Sequence, residues 1–346
     1  MLKIAKERLN ELYAKIAQTQ GLFIPIKKAG EVNYAVWSEG KEVSLETLKT
    51  VKSPKNAFFP QTENMMKFKT ENNNLEVIDV RRNYLEEGKT FVMFGVKPCD
   101  YKAIEVLDKV FLADPVDTYY QSRREAATIV TLACSKPEES CFCKAFGIDA
   151  AGVYGDVTTW LDGANLYWQA NTEKGEALTA LVKELLEACD DAAVKAQQDA
   201  THKVIDSLPF SNLDLSKFKP ENLNELFNDA KWTEMSEACL GCGTCTFVCP
   251  TCQCFDIRDL KTKEGVLRYR CWDSCMYSDF TLMAHGNSRT TQMQRFRQRF
   301  MHKLVYYPSQ NDGMYSCVGC GRCLNKCPQR LNIVKVIKTL GGNNND

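Results

Sequence analysis

Apolar residues recur at helical spacing at the start of the chain. Ala5, Leu9, Leu12, Tyr13 and Ile16 share one face with lysine and glutamate between them, which predicts an amphipathic helix over residues 2–18. Short alternating stretches around 22–26 and 32–37, broken by Gly30 and Gly40, predict strands. Two apolar runs follow at 75–80 and 91–96. The second leads through Lys97-Pro98-Cys99-Asp100 into a helical pattern over 101–110, where Ile104, Leu107 and Val110 share a face and Asp100 is the expected cap. A further buried-looking strand, residues 128–133, ends at Cys134. Strand, helix, strand implies a right-handed parallel crossover, so residues 1–207 read as an α/β domain with a partly parallel sheet. Cys99 and Cys134 should then emerge at the same carboxyl edge of that sheet.

Farther on, Asp162-Gly163 between residues 157–161 and 164–169 is a strong hairpin signal. Residues 175–207 read as helical, with Leu178, Leu181, Val182, Leu185 and Leu186 apolar and Cys189 continuing the stripe as core. Residues 208–235, with Pro209 and Pro220, read as a linker carrying one short helix. From 236 the pattern is helical again. The run Arg289 to Lys303 has helical composition, and about 68 residues separate Cys249 from Cys317, so residues 236–340 are expected to form an all-α (alpha-helical) ferredoxin domain with a flexible tail at 341–346.

Composition narrows the function classes. Of 346 residues, lysine plus arginine and aspartate plus glutamate number 44 each, so no overall field favours nucleic acid or an anionic membrane. The N-terminus is charged throughout, unlike a signal peptide, and no apolar run approaches eighteen residues. Seventeen cysteines in such a chain read as reduced thiolates of a cytoplasmic protein, most of them metal ligands. No Gly-x-Gly-x-x-Gly follows a strand, and the three histidines occupy no triad or metal spacing; no dinucleotide site and no catalytic residues are expected.

The candidate chemistry lies in a repeat. Cys239-Leu-Gly-Cys242-Gly-Thr-Cys245-Thr-Phe-Val-Cys249-Pro250 recurs as Cys317-Val-Gly-Cys320-Gly-Arg-Cys323-Leu-Asn-Lys-Cys327-Pro328. In two-cluster ferredoxins three such cysteines wrap one cubane while the fourth, before proline, reaches the other. This assigns Cys239, Cys242, Cys245 and Cys327 to one 4Fe-4S cluster, and Cys317, Cys320, Cys323 and Cys249 to a second. Zinc sites more often use two separated Cys-x-x-Cys pairs, which disfavours zinc here. Cys99, Cys134, Cys141 and Cys143 can hold a third iron–sulfur cluster, ligate zinc or simply pack; their spacing leaves all three open. Cys252, Cys254 and Cys275 can replace a ligand, join a third cluster or flank one, and Cys271 has the weakest case of the extra cysteines.

Gly95-Val-Lys-Pro-Cys-Asp100, Tyr119-Tyr-Gln-Ser-Arg-Arg-Glu125, Cys141-Phe-Cys143, Cys249-Pro-Thr-Cys-Gln-Cys254, Trp272-Asp-Ser-Cys275 and the second cysteine run together resemble a known family. It is the iron–sulfur subunit shared by anaerobic sulfite reductases and soluble nickel–iron sulfhydrogenases, where it is the beta chain, with flavin-oxidoreductase relatives beside heterodisulfide reductases. The likeness spans residues 90–335. It implies an electron-transfer subunit between a flavin and NAD(P)-binding partner and a catalytic or further iron–sulfur subunit, without choosing the terminal acceptor. Direct reduction of a sulfur compound at an N-terminal cluster is the alternative.

Overall fold

The computed structural model describes residues 1–71, 74–79 and 88–341. Its longer strands, in chain order, are β1 (Leu2–Ala5), β2 (Gly21–Lys28), β3 (Glu31–Val36), β4 (Thr62–Glu71), β5 (Asn74–Asp79), β6 (Phe91–Val96), β7 (Ala127–Leu132), β8 (Val157–Leu161) and β9 (Asn165–Ala170). The short β10 (Glu187–Ala188) follows, then β11 (Phe255–Thr262) and β12 (Gly265–Trp272).

Eight strands form one mixed sheet in the order β10-β1-β9-β8-β7-β6-β2-β3. Its centre, β2-β6-β7-β8, is parallel, as the strand–helix–strand pattern implied. Every residue of β6 is buried, which explains its continuous apolar run: a central parallel strand is covered on both faces. The helix Leu9–Ala17 buries Leu12, Tyr13 and Ile16 in the core that also contains Val92, Phe94 and Trp168. Its predicted first turn is instead the strand β1, held between β9 and β10. The long helix expected over 175–207 is divided into Glu173–Leu181 and Ala192–Ser207, with β10 between them.

The all-α expectation for the C-terminal part is overturned. Residues 255–272 form the β11–β12 hairpin, and β12 also pairs with β4, giving a second sheet in the order β11-β12-β4-β5. Only Phe255-Asp-Ile-Arg alternates with period two, and Ile257 and Leu260 stay exposed, so pairing with β12 and not burial holds β11. At Gly265 φ is +128, and an added Cβ would lie 2.0 Å from the Phe68 carbonyl oxygen, so only glycine fits beside β4. Arg270 on β12 is 2% exposed and donates from Nε to Glu63 on β4 at 2.7 Å.

Helices do surround the two cysteine runs. Gln292–Met301 begins with a capping box between Thr291 and Gln294 and continues as a π-helical turn, His302–Tyr306. Phe296, Phe300, Leu304, Ile333 and Ile337 form a core with Phe218, Leu226 and Trp232 of the 208–235 segment. Burial of each large side chain stabilises by about 1.5–3 kcal/mol. No helix among the described residues is long and apolar enough to cross a membrane. The expected tail, 341–346, lies outside the described residues apart from Gly341.

Candidate metal centre

Each cysteine run turns on glycines with positive φ. Gly241 and Gly243 stand at +64 and +71, Gly319 and Gly321 at +60 and +74. The turns place cysteines at the starts of two short helices, Thr244–Phe247 and Arg322–Lys326. Cys239, Cys242 and Cys245 line one cavity with Cys327 from the distant second run, beside Arg299 and Phe300. Cys249 in turn lies among Cys317, Cys320 and Cys323. Burial pushes the Cys320 thiol up to about 12; Arg322 opposes the rise, while Cys249 and Cys323 add to it.

Buried cations surround these thiols. Lys303, 4% exposed, donates to Thr251 Oγ1 at 2.7 Å and to the Ser316 carbonyl at 2.9 Å. Burial disfavours its charge, but the sulfurs of Cys249 and Cys252 outweigh that and raise its pKa. Lys55 donates to the carbonyls of Cys249 and Cys252 at 3.1 and 2.9 Å. Arg299 is 3% exposed and its Nε has no hydrogen-bond partner. Among the described residues none of these three cations has a carboxylate in ion-pair contact, so thiolates must supply the balancing charge.

A negatively charged iron–sulfur cubane fits this donor set: four thiolates per group, glycine turns that admit close backbone approach, and buried cations needing negative charge. All seventeen cysteines are free, and among the described residues no three ligand side chains gather tightly enough for a single metal ion. Thiolates at the corners of a cubane stand farther apart than those around one ion.

The N-terminal cysteines lie where the topology requires. Cys99 is in the first turn of the helix Pro98–Phe111 after β6, and Cys134 follows β7. Cys134 neighbours Cys99 and Cys141, and Cys143 neighbours both Cys134 and Cys141. This group abuts the second run directly. Phe142 N donates to the Gly319 carbonyl at 3.0 Å; a Cβ on Gly319 would lie 2.4 Å from the Phe142 carbonyl, and one on Gly321 2.2 Å from the Ser140 oxygen. Asp100, expected as a helix cap, instead receives both terminal guanidinium nitrogens of Arg322. The helix starts earlier because Pro98 occupies its first turn.

Residues 238–331 match the 4Fe-4S dicluster domain family. Over 348 aligned residues, covering 97% of both chains, the protein is 31% identical to Sulfhydrogenase 2 subunit beta of Pyrococcus furiosus. The chain belongs to the sulfhydrogenase beta-subunit family.

This family member is thus an iron–sulfur protein of the electron-transport class, and its dicluster domain contains a β-hairpin between the two runs. The extra cysteines fall close to the same centre. Cys252 neighbours Cys249 and is the first cause of its lowered pKa, and Cys275 neighbours Cys254 and is the first cause of its pKa falling to about 7. Cys271 lies on β12 opposite Asp256 and Thr62. Cys189 is half-buried against the cluster containing Ala133, Trp160 and Tyr167. The sequence signal for Cys252 and Cys254 was their place just after the first run, and for Cys275 the segment Cys271-Trp-Asp-Ser-Cys275; the hairpin fold brings residues 254 and 275 together.

Proposed function

We propose that the chain relays single electrons between two partner subunits. Cys239, Cys242, Cys245 and Cys327 would hold one 4Fe-4S cluster, Cys249, Cys317, Cys320 and Cys323 a second, and Cys99, Cys134, Cys141 and Cys143 a third. When bound, such clusters supply reversible one-electron storage. The chain's own residues would keep the path dry and charge-balanced: Phe142 and Phe300 pack beside the thiol groups, and Lys303, Arg299 and Arg322 offset their negative charge.

The observation carrying this reading is the backbone contact between the Ser140–Cys143 loop and the Gly319–Gly321 loop. It supports a path from the N-terminal thiol group to the second ferredoxin group and on through Cys245, which neighbours Cys323, Cys249 and Cys239, to the first. The series ends at Cys242, the most exposed of its cysteines, beside exposed Leu240. A partner would receive or deliver electrons there. The other partner, carrying flavin and binding NAD(P), would meet the N-terminal end in a hetero-oligomer of the sulfhydrogenase, sulfite reductase or heterodisulfide reductase type.

Anaerobic purification of the full chain with its native partners tests the reading. Three clusters require about twelve iron and twelve sulfide per chain. Cys327→Ser should abolish the same electron paramagnetic resonance signal as Cys239→Ser, and Cys249→Ser the same signal as Cys317→Ser. Loss of different signals within either pair would remove the crossed assignment, and a content of about eight irons would remove the third cluster.

A further inference from the structure

A cavity of about 300 Å3 opens at the carboxyl ends of three adjacent parallel strands. Lys97 follows β6, Ala133 follows β7 and Leu161 closes β8, and all three line it. Ligands of open α/β sheets collect at this edge, and the volume lies at the small end of the range for small-molecule sites.

The charged groups lining the cavity are two carboxylates, Glu46 and Asp162, and two ammonium groups, Lys97 and Lys136. Glu46 is paired with Lys6. Asp162 is occupied as well: Oδ1 accepts from the backbone N–H groups of Ala164 and Asn165, and Oδ2 from the Tyr167 hydroxyl. Lys97 is 8% exposed and makes no hydrogen bond or carboxylate ion pair among the described residues, although Cys134, Cys99 and Asp100 favour its charge; exposed Lys136 acts on Glu46. Gln197, also in the lining, has both amide atoms buried without partners. An unmet buried polar group costs about 1–3 kcal/mol, so an amide left this way points to a missing partner, and the Lys97 side chain lines the same space. Leu45, Leu132 and Leu161 supply an apolar wall that a bare inorganic ion would leave uncovered.

We propose that this cavity binds a small organic anion, its oxyanion head beside Lys97 and Gln197 and its apolar body against Leu45, Leu132 and Leu161. At a water's share of about 30 Å3, the space holds about ten non-hydrogen atoms. Ala133 and Ser135 line the cavity on either side of Cys134 in sequence, so the ligand rests next to the N-terminal thiol group.

Benzoate, benzamide and sulfate are suitable probes, titrated calorimetrically into the anaerobic, cluster-loaded protein. Benzoate should bind, with sulfate and the neutral benzamide each at least about tenfold weaker. Lys97→Met should weaken benzoate at least about tenfold. Lys136→Met, on an exposed side chain whose loss spares the fold, should weaken it about threefold through lost attraction at the mouth. No benzoate binding, binding unchanged in Lys136→Met and in a folded Lys97→Met protein, or benzamide or sulfate as tight as benzoate would each overturn the proposal.

Discussion

Arg322 and Asp100 form a two-point ion pair inside the protein, with Nη1 and Nη2 lying 2.6 and 2.7 Å from the two carboxylate oxygens. The arginine side chain is 4% exposed and the aspartate side chain 1%. The pair joins the second cysteine run to the helix bearing Cys99, and Arg322 Nε adds a bond to the Thr50 carbonyl at 3.1 Å. Removing one partner strands the other charge in the interior. Arg322→Met should therefore lower unfolding free energy by about 3–5 kcal/mol, with Arg322→Met/Asp100→Leu recovering much of that loss. Chemical denaturation of both variants checks this, and a double variant no more stable than the single would contradict it.

Gly319 tests the seam between the two cysteine-bearing regions. Gly319→Ala adds a Cβ 2.4 Å from the Phe142 backbone, at φ +60. Gly147 has a similar φ of +70 but open space around it. Gly147→Ala should cost only about 1 kcal/mol, the conformational penalty. Gly319→Ala should cost more and reduce iron content, so equal melting temperatures and equal iron in the two variants would show that the seam tolerates separation.

Lys303 is a test of charge balance. At a separation of about 7 Å and an effective dielectric of about 20, one charge is worth about 2 kcal/mol, roughly 100 mV for a single electron. Lys303→Met should lower the midpoint potential of the group containing Cys249 and Cys317 by that order. Anaerobic redox titration followed by spectroscopy gives the value, and an unchanged potential would reassign Lys303 to a purely structural role through Thr251 and Ser316.

His302 gives the protein a pH dependence. Burial first, then the charges of Lys303 and Arg289, push its imidazole down to about 4. The unfolded chain, with an ordinary histidine pKa of about 6.5, binds a proton that the folded chain refuses. Stability should fall as pH drops from about 6.5 towards 4, by on the order of 2–3 kcal/mol at the lower limit. His302→Gln should remove this component; denaturation midpoints compared at about pH 7 and pH 5 measure the difference.

Much of the site was legible because its signals are local. The cysteine repeat, the Asp162-Gly163 turn and the run Phe91 to Val96 each declare their structure within a dozen residues. The β11–β12 hairpin was missed for physical reasons. Its polar Asp256, Arg258 and Lys261 also suit a solvated helix, its turn at Lys263-Glu264 lacks the usual Asn-Gly or Asp-Gly signal, and its partner β4 lies far away in sequence. The pairing of Arg322 with Asp100 was equally hidden, since two charges hundreds of residues apart carry no periodicity. The break between Leu181 and Ala192 holds β10, which joins β1 in a contact that no local propensity encodes.

Synthesis order gives the strand β12 a further importance. β4 leaves the ribosome nearly two hundred residues before β12, the strand that covers its edge, has been made. At about 5–20 residues per second that edge waits roughly 10–40 s with its N–H and C=O groups open to any passing strand. A gene truncated after residue 235 would make the wait permanent, so the shortened product should collect in inclusion bodies.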